Sequence, residues 1–153
     1  MEYGSIEREI HVDASPEVVF EVVSSPVHIK EWWGAEADLD AAPGAVGELA
    51  WGRGTAEEHI ESITVVDAEP PRLFSFRWVY EGATEPAAGN SMLVTFELVP
   101  SGDGTVVRVT ETGFRERGWE IAVLEAAYQE HVQGWDHFVG RLGEYVARLV
   151  STS

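Results

Sequence analysis

The chain has 153 residues, and its 27 Asp and Glu residues outnumber its 10 Lys and Arg residues, which gives a net charge of −17 at pH 7. Hydrophobic residues make up 44% of the chain and charged residues 24%, a composition that excludes wholesale disorder, collagen and coiled-coil architectures and fits one domain over residues 1–153. The absence of cysteine excludes disulfides, thiolate metal sites and a cysteine nucleophile.

The negative charge also restricts the partners. A nucleic acid needs clustered Lys and Arg to replace its counterions, so we expect no nucleic-acid partner. Anionic membrane surfaces are disfavoured for the same reason. Residues 1–5 have neither the cationic start nor the apolar core of a signal peptide, and no run approaches the roughly 20 apolar residues that span a bilayer. We therefore expect a cytoplasmic protein without a membrane partner.

A strand and two short helices open the chain. Ile6–Val12 alternates apolar and polar residues, which predicts a strand. Ser15-Pro16 and Ser25-Pro26 each place a helix-capping residue before a proline suited to the first helical position. The sequence therefore predicts one helix through about Val23 and a second over Val27–Trp32.

Strand candidates separated by turn signals follow a Gly-, Ala- and Pro-rich connection over residues 34–47. The pattern predicts five strands, with a loose loop over Thr84–Asn90. The predicted strands are Gly47–Trp51, Glu57–Val66, Arg72–Tyr80, Ser91–Val99 and Thr105–Thr112.

A long amphipathic helix ends the chain. Apolar residues from Val132 to Leu149 recur at helical spacing and form one broad stripe, and we expect the regular helix to begin near Leu124. Gly134, Gly140 and Gly143 each cost about 1 kcal/mol against Ala in a helix. Close approach of the helix to the sheet would explain them.

This element order predicts an α+β fold in which a curved antiparallel sheet of about six strands wraps around a long C-terminal helix. Two short helices follow the first strand and close one end. Because a curved sheet and a straight helix do not touch everywhere, the space between them is a natural place for a small-molecule cavity.

Aromatic side chains are concentrated on the predicted inner side of the sheet. Phe74, Phe76, Trp78 and Tyr80 alternate along one strand and share a face. These rings either fill the core or line an aromatic pocket, and both interpretations can hold at different depths. In the pocket interpretation Trp32 and Trp33 form a rim or lid. The residues that we assign to the pocket are Trp32, Trp33, Phe76, Trp78, Phe96, Glu111, Trp135 and Phe138.

Glu111 is the charged member of that set. Glu111 lies on the same face of its strand as Val107 and Val109, so it is predicted to point inward. Arg8 shares a face with Ile6 and Ile10 and is predicted to point inward for the same reason. A buried carboxylate needs a partner, so we predict that Glu111 is a polar anchor of the pocket with Arg8 as its partner. The alternative is a strand register slipped by one residue, which would leave Glu111 in water.

Several short motifs resemble one known group of proteins. They are Ile6–Phe20, Glu31-Trp32-Trp33-Gly34, Gly44–Gly47, Pro70–Leu73 leading to Trp78, Val109–Phe114 and Gly134-Trp135. In this order they resemble the START-like, helix-grip (SRPBCC) superfamily and, within it, bacterial proteins named after the activator of the ninety-kilodalton heat-shock-protein ATPase. The resemblance spans about Ile6 to Leu149. It implies a single START-like domain with a helix-grip fold, an internal pocket and a small hydrophobic ligand, and it carries no shared catalytic constellation.

The motifs of metal and nucleophile chemistry are missing from the sequence. The five histidines include no i, i+4 pair and no HExxH sequence, and no Gly-x-Ser-x-Gly elbow occurs. We therefore expect no cofactor, no metal and no assigned catalytic residue. The five histidines are expected to be ordinary solvated or hydrogen-bonded residues.

Three functions stay open at this point. The first is binding of a small, largely hydrophobic molecule that is uncharged or cationic, because the net charge disfavours an anion. The second is a cyclase- or hydratase-type enzyme that uses the same cavity, which would need a carboxylate paired with His or Tyr. The third is a protein-interaction module with Trp32 and Trp33 exposed.

A homodimer is left open. A chaperone partner is not expected, because the eukaryotic co-chaperone has an additional N-terminal domain for which 153 residues leave no space.

Overall fold

In a computed structural model of the protein, which describes residues 5–52, 54–56, 58–78, 92–112 and 121–151, seven strands form one sheet. The elements in chain order are β1 (Ser5–Val12), α1 (Pro16–Ser24), α2 (Pro26–Trp33), β2 (Glu36–Asp38), β3 (Val46–Trp51), β4 (His59–Glu69), β5 (Leu73–Trp78), β6 (Met92–Ser101), β7 (Gly104–Thr112) and α3 (Ile121–Ser151). The predicted α+β architecture is confirmed.

The strand order is β1-β7-β6-β5-β4-β3-β2, and every neighbouring pair is antiparallel. The first strand therefore pairs with the last, and the remaining strands follow as a meander. Sequence analysis missed β2, which lies in the connection that we expected to be irregular. It is three residues long and pairs Ala37 with Leu49, too short for its alternation to be recognised.

Both Ser-Pro signals begin helices as predicted. The Ser15 side chain accepts a hydrogen bond from the Val18 backbone N–H at 3.3 Å, and Pro16 is the first residue of α1. Helix α2 is followed by its C-cap residue Gly34, whose φ of 76° is the left-handed conformation common at helix C-termini.

The other boundaries differ by a few residues. Strand β4 runs to Glu69 instead of Val66, and α3 begins at Ile121 instead of Leu124. The predicted loop Thr84–Asn90 lies outside the described residues. The explanation offered for the helix glycines is wrong for Gly134 and Gly140, because a Cβ added to either would meet no atom of the described residues within 4 Å.

Helix α3 packs on the side of the sheet that carries the alternate apolar residues of β5, β6 and β7, which we call the inner face. Phe74, Phe76 and Phe96 project from it and are at most 2% exposed. Helix α3 contributes Trp135, Val139, Leu142 and Val146 to the same core. No helix within the described ranges is both long and apolar enough to cross a membrane.

Candidate functional site

A carboxylate is buried between the sheet and helix α3. Glu111 is 0% exposed and lies on the inner face next to last in β7, in phase with Val107 and Val109. The strand register pairs Glu111 with Ile6 on one side and Val94 on the other. The predicted inward orientation of Glu111 is confirmed, and the slipped-register alternative is wrong.

Two side chains of α3 meet this carboxylate at one oxygen. The Trp135 Nε1–H donates to Glu111 Oε1 at 2.8 Å, and His131 Nδ1 lies 2.6 Å from the same oxygen. The indole can only donate, so Oε1 is an acceptor in this arrangement. Glu111 Oε1 therefore has two short polar contacts, and short contacts to a carboxylate are among the stronger hydrogen bonds in proteins.

The helix period brings the two partners together. His131 and Trp135 are four residues apart, so they lie one turn apart on the same side of α3. Trp135 is 4% exposed, and the His131 side chain is 10% exposed. We call Glu111, His131 and Trp135 the polar cluster.

The predicted partner of Glu111 is wrong. Arg8 does lie opposite Val109 on the inner face of β1, as its phase requires, but its guanidinium donates to Asp136 on α3 at 2.5 Å. Asp136 raises the pKa of Arg8 through that hydrogen bond, and the Arg8 side chain stays one-third exposed. Arg8 therefore connects β1 to α3 at the surface, beside the polar cluster.

An aromatic cluster adjoins these groups, and Trp33 lies at its centre. The Trp33 ring is 5.0 Å from that of Trp32, 5.5 Å from Trp135, 5.7 Å from Trp51 and 6.1 Å from Phe76. These distances are those of stacked and edge-to-face pairs. The cluster connects α2, β3, β5 and α3.

Two further residues of the predicted pocket belong to this aromatic cluster. Phe138 lies 6.3 Å from Trp33, and Phe96 lies 6.2 Å from Trp135. Phe138 is half-buried, whereas Phe96 is fully buried. Strand β5 includes Trp78, but the Trp78 side chain lies outside the described part of the structure.

Trp32 and Trp33 do not form an exposed rim or lid. They are 1% and 2% exposed, and the Trp32 Nε1–H donates to the Val22 backbone oxygen at 3.0 Å inside the core. The sequence pattern had left them open as a rim or lid of the pocket or as an exposed patch. Their adjacent rings stack on each other with an interplanar angle of 12°, and both belong to the buried core.

A second acidic residue also lies on the inner face. Glu61 of β4 lies opposite Leu49 and is in phase with Ile63 and Val65, both of which are at most 1% exposed. Glu61 itself is 4% exposed. The inner face therefore buries two carboxyl side chains on different strands, in a protein whose surface is already strongly acidic.

A separate polar contact joins α2 to the C-terminal half of α3. His28 Nδ1 lies 2.7 Å from the Tyr145 hydroxyl. Burial raises the pKa of Tyr145; the negative charge of Glu31 acts in the same direction, and Arg148 opposes it. This contact holds the two helices together at a distance from the polar cluster.

Sequence analysis did not predict the contact of His131 with Glu111. It weighed the five histidines as metal ligands against ordinary solvated or hydrogen-bonded residues, and it did not pair any of them with Glu111. No group of three or more His, Cys, Asp or Glu side chains that could hold a metal ion occurs among the described residues. The signal that could have identified His131 is its i, i+4 spacing from the inward-facing Trp135. A carboxylate paired with a histidine can orient an imidazole for proton transfer.

Comparison with known proteins identifies one family model. The model described as "Activator of Hsp90 ATPase homolog 1-like protein" matches residues 13–147. No curated protein matches the sequence.

Solved structures share the fold at low sequence identity. Protein MLL2253 from Mesorhizobium loti is 22% identical with a TM-score of 0.75, and the alignment covers 94% of this chain and 97% of that one. DynU16, described as belonging to the dynemicin biosynthetic locus, is 22% identical with a TM-score of 0.73; the alignment covers 94% of this chain and 47% of DynU16, so this chain spans about half of its length.

A third similar structure is the Aha1 dimer from Colwellia psychrerythraea, which is 19% identical with a TM-score of 0.69. The alignment covers 94% of this chain and 96% of that one. At these identities the three structures show the shared fold alone.

Proposed function

Because the chain belongs to the family of activator of Hsp90 ATPase homolog 1-like proteins, we propose that it binds a small, largely hydrophobic molecule between the inner face of the sheet and helix α3. The observation that carries the proposal is the buried Glu111 carboxylate, which is hydrogen-bonded from α3 and lies beside a cluster of aromatic rings. Concave sites with aromatic walls and a few polar groups are typical of small-molecule sites.

Energetics supports a role for Glu111 beyond packing. Removing a carboxylate from water costs several kcal/mol, and apolar residues in place of the whole polar cluster would avoid that cost. The aromatic side chains that we assign to the ligand site are Phe76, Phe96, Trp135, Phe138 and Trp78, with Trp32 and Trp33 behind them. Glu111 would orient a polar group of the ligand.

One similar structure and the net charge of the chain are consistent with this proposal. DynU16 is described as a protein of a biosynthetic locus, a setting in which small organic molecules are made. The negative net charge of this chain favours an uncharged or cationic ligand.

The test is native mass spectrometry of freshly purified protein, with a co-purified small molecule as the expected result. Thermal shift with a panel of apolar aromatic compounds follows, because a ligand at 100 times its Kd stabilises a protein by about 2.7 kcal/mol. Glu111→Gln should weaken that shift, whereas Val99→Ala, at a 45% exposed position, should leave it unchanged. A protein without an adduct that no compound stabilises would contradict the proposal.

A cyclase- or hydratase-type enzyme is a second candidate. The observation that favours it is the 2.6 Å contact between Glu111 and His131, which is the paired carboxylate and imidazole that such an enzyme would need. The protein-interaction alternative depended on exposed Trp32 and Trp33, and their burial removes its basis.

Assembly and location complete the proposal. We propose a homodimer by comparison with the Colwellia psychrerythraea structure, which is described as a dimer; light scattering after size-exclusion chromatography tests it, and a monomeric mass would contradict it. A cytoplasmic location and the absence of a chaperone partner stay predictions.

A further inference from the structure

We infer that a second copy of this chain docks on strands β3 and β4, on the side of the sheet opposite the inner face, which we call the outer face. The two copies would meet sheet against sheet about a two-fold axis. This inference rests on the homodimer proposed above and names the surface that forms it. The ligand site plays no part in the contact, so the interface and the ligand site can fail separately.

Apolar side chains are exposed on the outer face of these two strands. Of the five large hydrophobic residues that are exposed in the described part of the chain, three lie here: Val46 is 63% exposed, Ile60 37% and Val66 39%. Val46 pairs with Thr64, and Ile60 lies four residues before Thr64, on the same side of β4. Val66 follows Thr64 at a bulge in the register of β4. One side of two paired strands therefore carries all three.

Charged residues are rare on the same surface. We call its exposed and half-buried members the β3–β4 patch, which consists of Val46, Glu48, Ile60, Ser62, Thr64 and Val66. Only Glu48 among them is charged. Charged residues begin again farther along β4, at Asp67 and Glu69. A weakly charged centre beside a charged rim is typical of the surfaces by which proteins associate.

The net charge of the chain restricts where a second copy can dock. Each copy carries a charge of −17, so two copies repel each other most strongly through surfaces rich in carboxylates. The outer faces of β1, β6 and β7 are charged, because Glu9 and Glu97 lie on either side of Arg108. The β3–β4 patch brings one carboxylate per copy into the contact.

The edges of the sheet are poor alternatives for the second copy. On the edge strand β1, the Tyr128 hydroxyl donates to the Ser5 backbone oxygen and the Arg8 guanidinium to the Glu7 backbone oxygen, each at 2.8 Å. The opposite edge, β2, is three residues long and both begins and ends with an acidic residue. Short, acidic or covered edges resist the addition of another strand. A face of the sheet is therefore the better surface for a dimer.

The size of the patch indicates a reversible dimer. In a two-fold dimer each copy contributes the same surface, so the β3–β4 patch of one copy would lie on that of the other. Its six residues are fewer than the roughly 20–30 that each side of a standard interface contributes. We therefore expect the dimer population to rise with protein concentration.

Sedimentation equilibrium over a wide range of protein concentrations measures the Kd of the dimer. Val46→Glu adds a carboxylate to the patch of both copies, so the Kd should rise at least about 10-fold. Val99→Glu is the matched control. Val99 is 45% exposed on β6, two strands away from β4, and the same change of charge there should alter the Kd far less.

Cross-linking tests the position of the contact independently. The chain has no cysteine, so a homobifunctional maleimide can join two copies only through an introduced one. Residues near a two-fold axis meet their own counterparts, and Ser62 lies in the middle of the patch. Ser62→Cys should therefore form a covalent dimer at least about 10-fold faster than Val99→Cys.

The outcomes separate the interface from the homodimer and from the ligand site. A Kd that falls as NaCl is raised would support an apolar contact between like-charged copies. A dimer that persists unchanged in Val46→Glu, or equal cross-linking of Ser62→Cys and Val99→Cys, would overturn the interface and leave the homodimer. A monomer at every concentration would overturn both, and a small molecule retained in native mass spectrometry would still support the ligand site.

Discussion

The indole of Trp51 caps the C-terminal end of α2 at Trp33, the last residue of that helix. Its Nε1–H donates to the Trp33 backbone oxygen at 3.2 Å, and the two rings meet edge to face at 5.7 Å. The last carbonyls of a helix lack intrahelical partners, so a side chain from β3 satisfies one at the end of α2. The contact ties the short helix to β3.

Trp51→Phe should lower the free energy of unfolding by about 1 kcal/mol, because it keeps an aromatic ring and removes one hydrogen bond. Trp32→Phe is the comparison: its indole bond to Val22 is fully buried, so we expect a larger loss, about 2 kcal/mol. Urea denaturation measures both. A Trp51→Phe protein as stable as the wild type would show that the cap contributes nothing.

Glu111→Leu should destabilise the protein by about 3 kcal/mol, because it leaves the buried N–H groups of Trp135 and His131 without their acceptor. Adding Trp135→Phe to Glu111→Leu should cost less than the two separate losses combined. Arg8→Met, which breaks a partly exposed ion pair with Asp136, should cost at most about 1 kcal/mol. Equal losses in Glu111→Leu and Arg8→Met would contradict this ranking.

Gly104→Ala should destabilise the protein by about 2 kcal/mol, since a Cβ there would lie 2.2 Å from the Val12 backbone oxygen. Gly140→Ala is the matched control: no atom in the described part of the chain lies within 4 Å of the added Cβ, so the substitution should stabilise α3 by up to about 1 kcal/mol. Thermal unfolding measures both changes. A stabilising Gly104→Ala would show that β1 and β7 can separate at no cost.

The sequence determined the fold more completely than the site. Alternation along β1, β5, β6 and β7 and the two Ser-Pro signals are local properties, so they predicted the elements and the inward orientation of Glu111. The partner of Glu111 depends on where α3 crosses the sheet, which no local pattern contains. Arg8 and His131 were both available in the sequence, and only the helix position decides between them.

The burial of Trp32 and Trp33 illustrates the same limit. Their helix is eight residues long, too short for its periodicity to define an inner and an outer face. The contacts that bury Trp33 come from β3, β5 and α3, each distant in sequence. Tertiary packing, which the sequence alone did not reveal, therefore decided which aromatic residues are buried.

High pH should weaken the contact between α2 and α3. Burial raises the pKa of Tyr145, so the folded protein holds the proton of the Tyr145 hydroxyl more tightly than the unfolded chain does. The resulting stabilisation is present below the unfolded value of about 10 and is lost as the pH rises through the folded value. Absorbance titration of wild-type protein and Tyr145→Phe isolates this tyrosine; a folded pKa at or below that of the denatured chain would contradict the prediction.

Salt should stabilise the protein. With a net charge of −17, the folded state carries self-repulsion that screening reduces. Removal of about 1 kcal/mol of repulsion would raise Tm by about 3 °C for a chain of this size. Differential scanning calorimetry between low and high NaCl measures the slope. A variant that neutralises the exposed Glu21, Asp40 and Asp103 should show a smaller slope, and an equal one would count against self-repulsion as the cause.

The pairing of β1 with β7 has a consequence for how the chain is made. Ser5 lies opposite Thr112 and Val12 opposite Thr105, so roughly 100 residues of chain separate the two halves of this ladder, and such long-range contacts slow folding. During synthesis the first strand leaves the ribosome long before its partner exists. Completion of the sheet, and with it the docking of α3 onto Glu111, therefore has to wait until β7 and α3 have been synthesised.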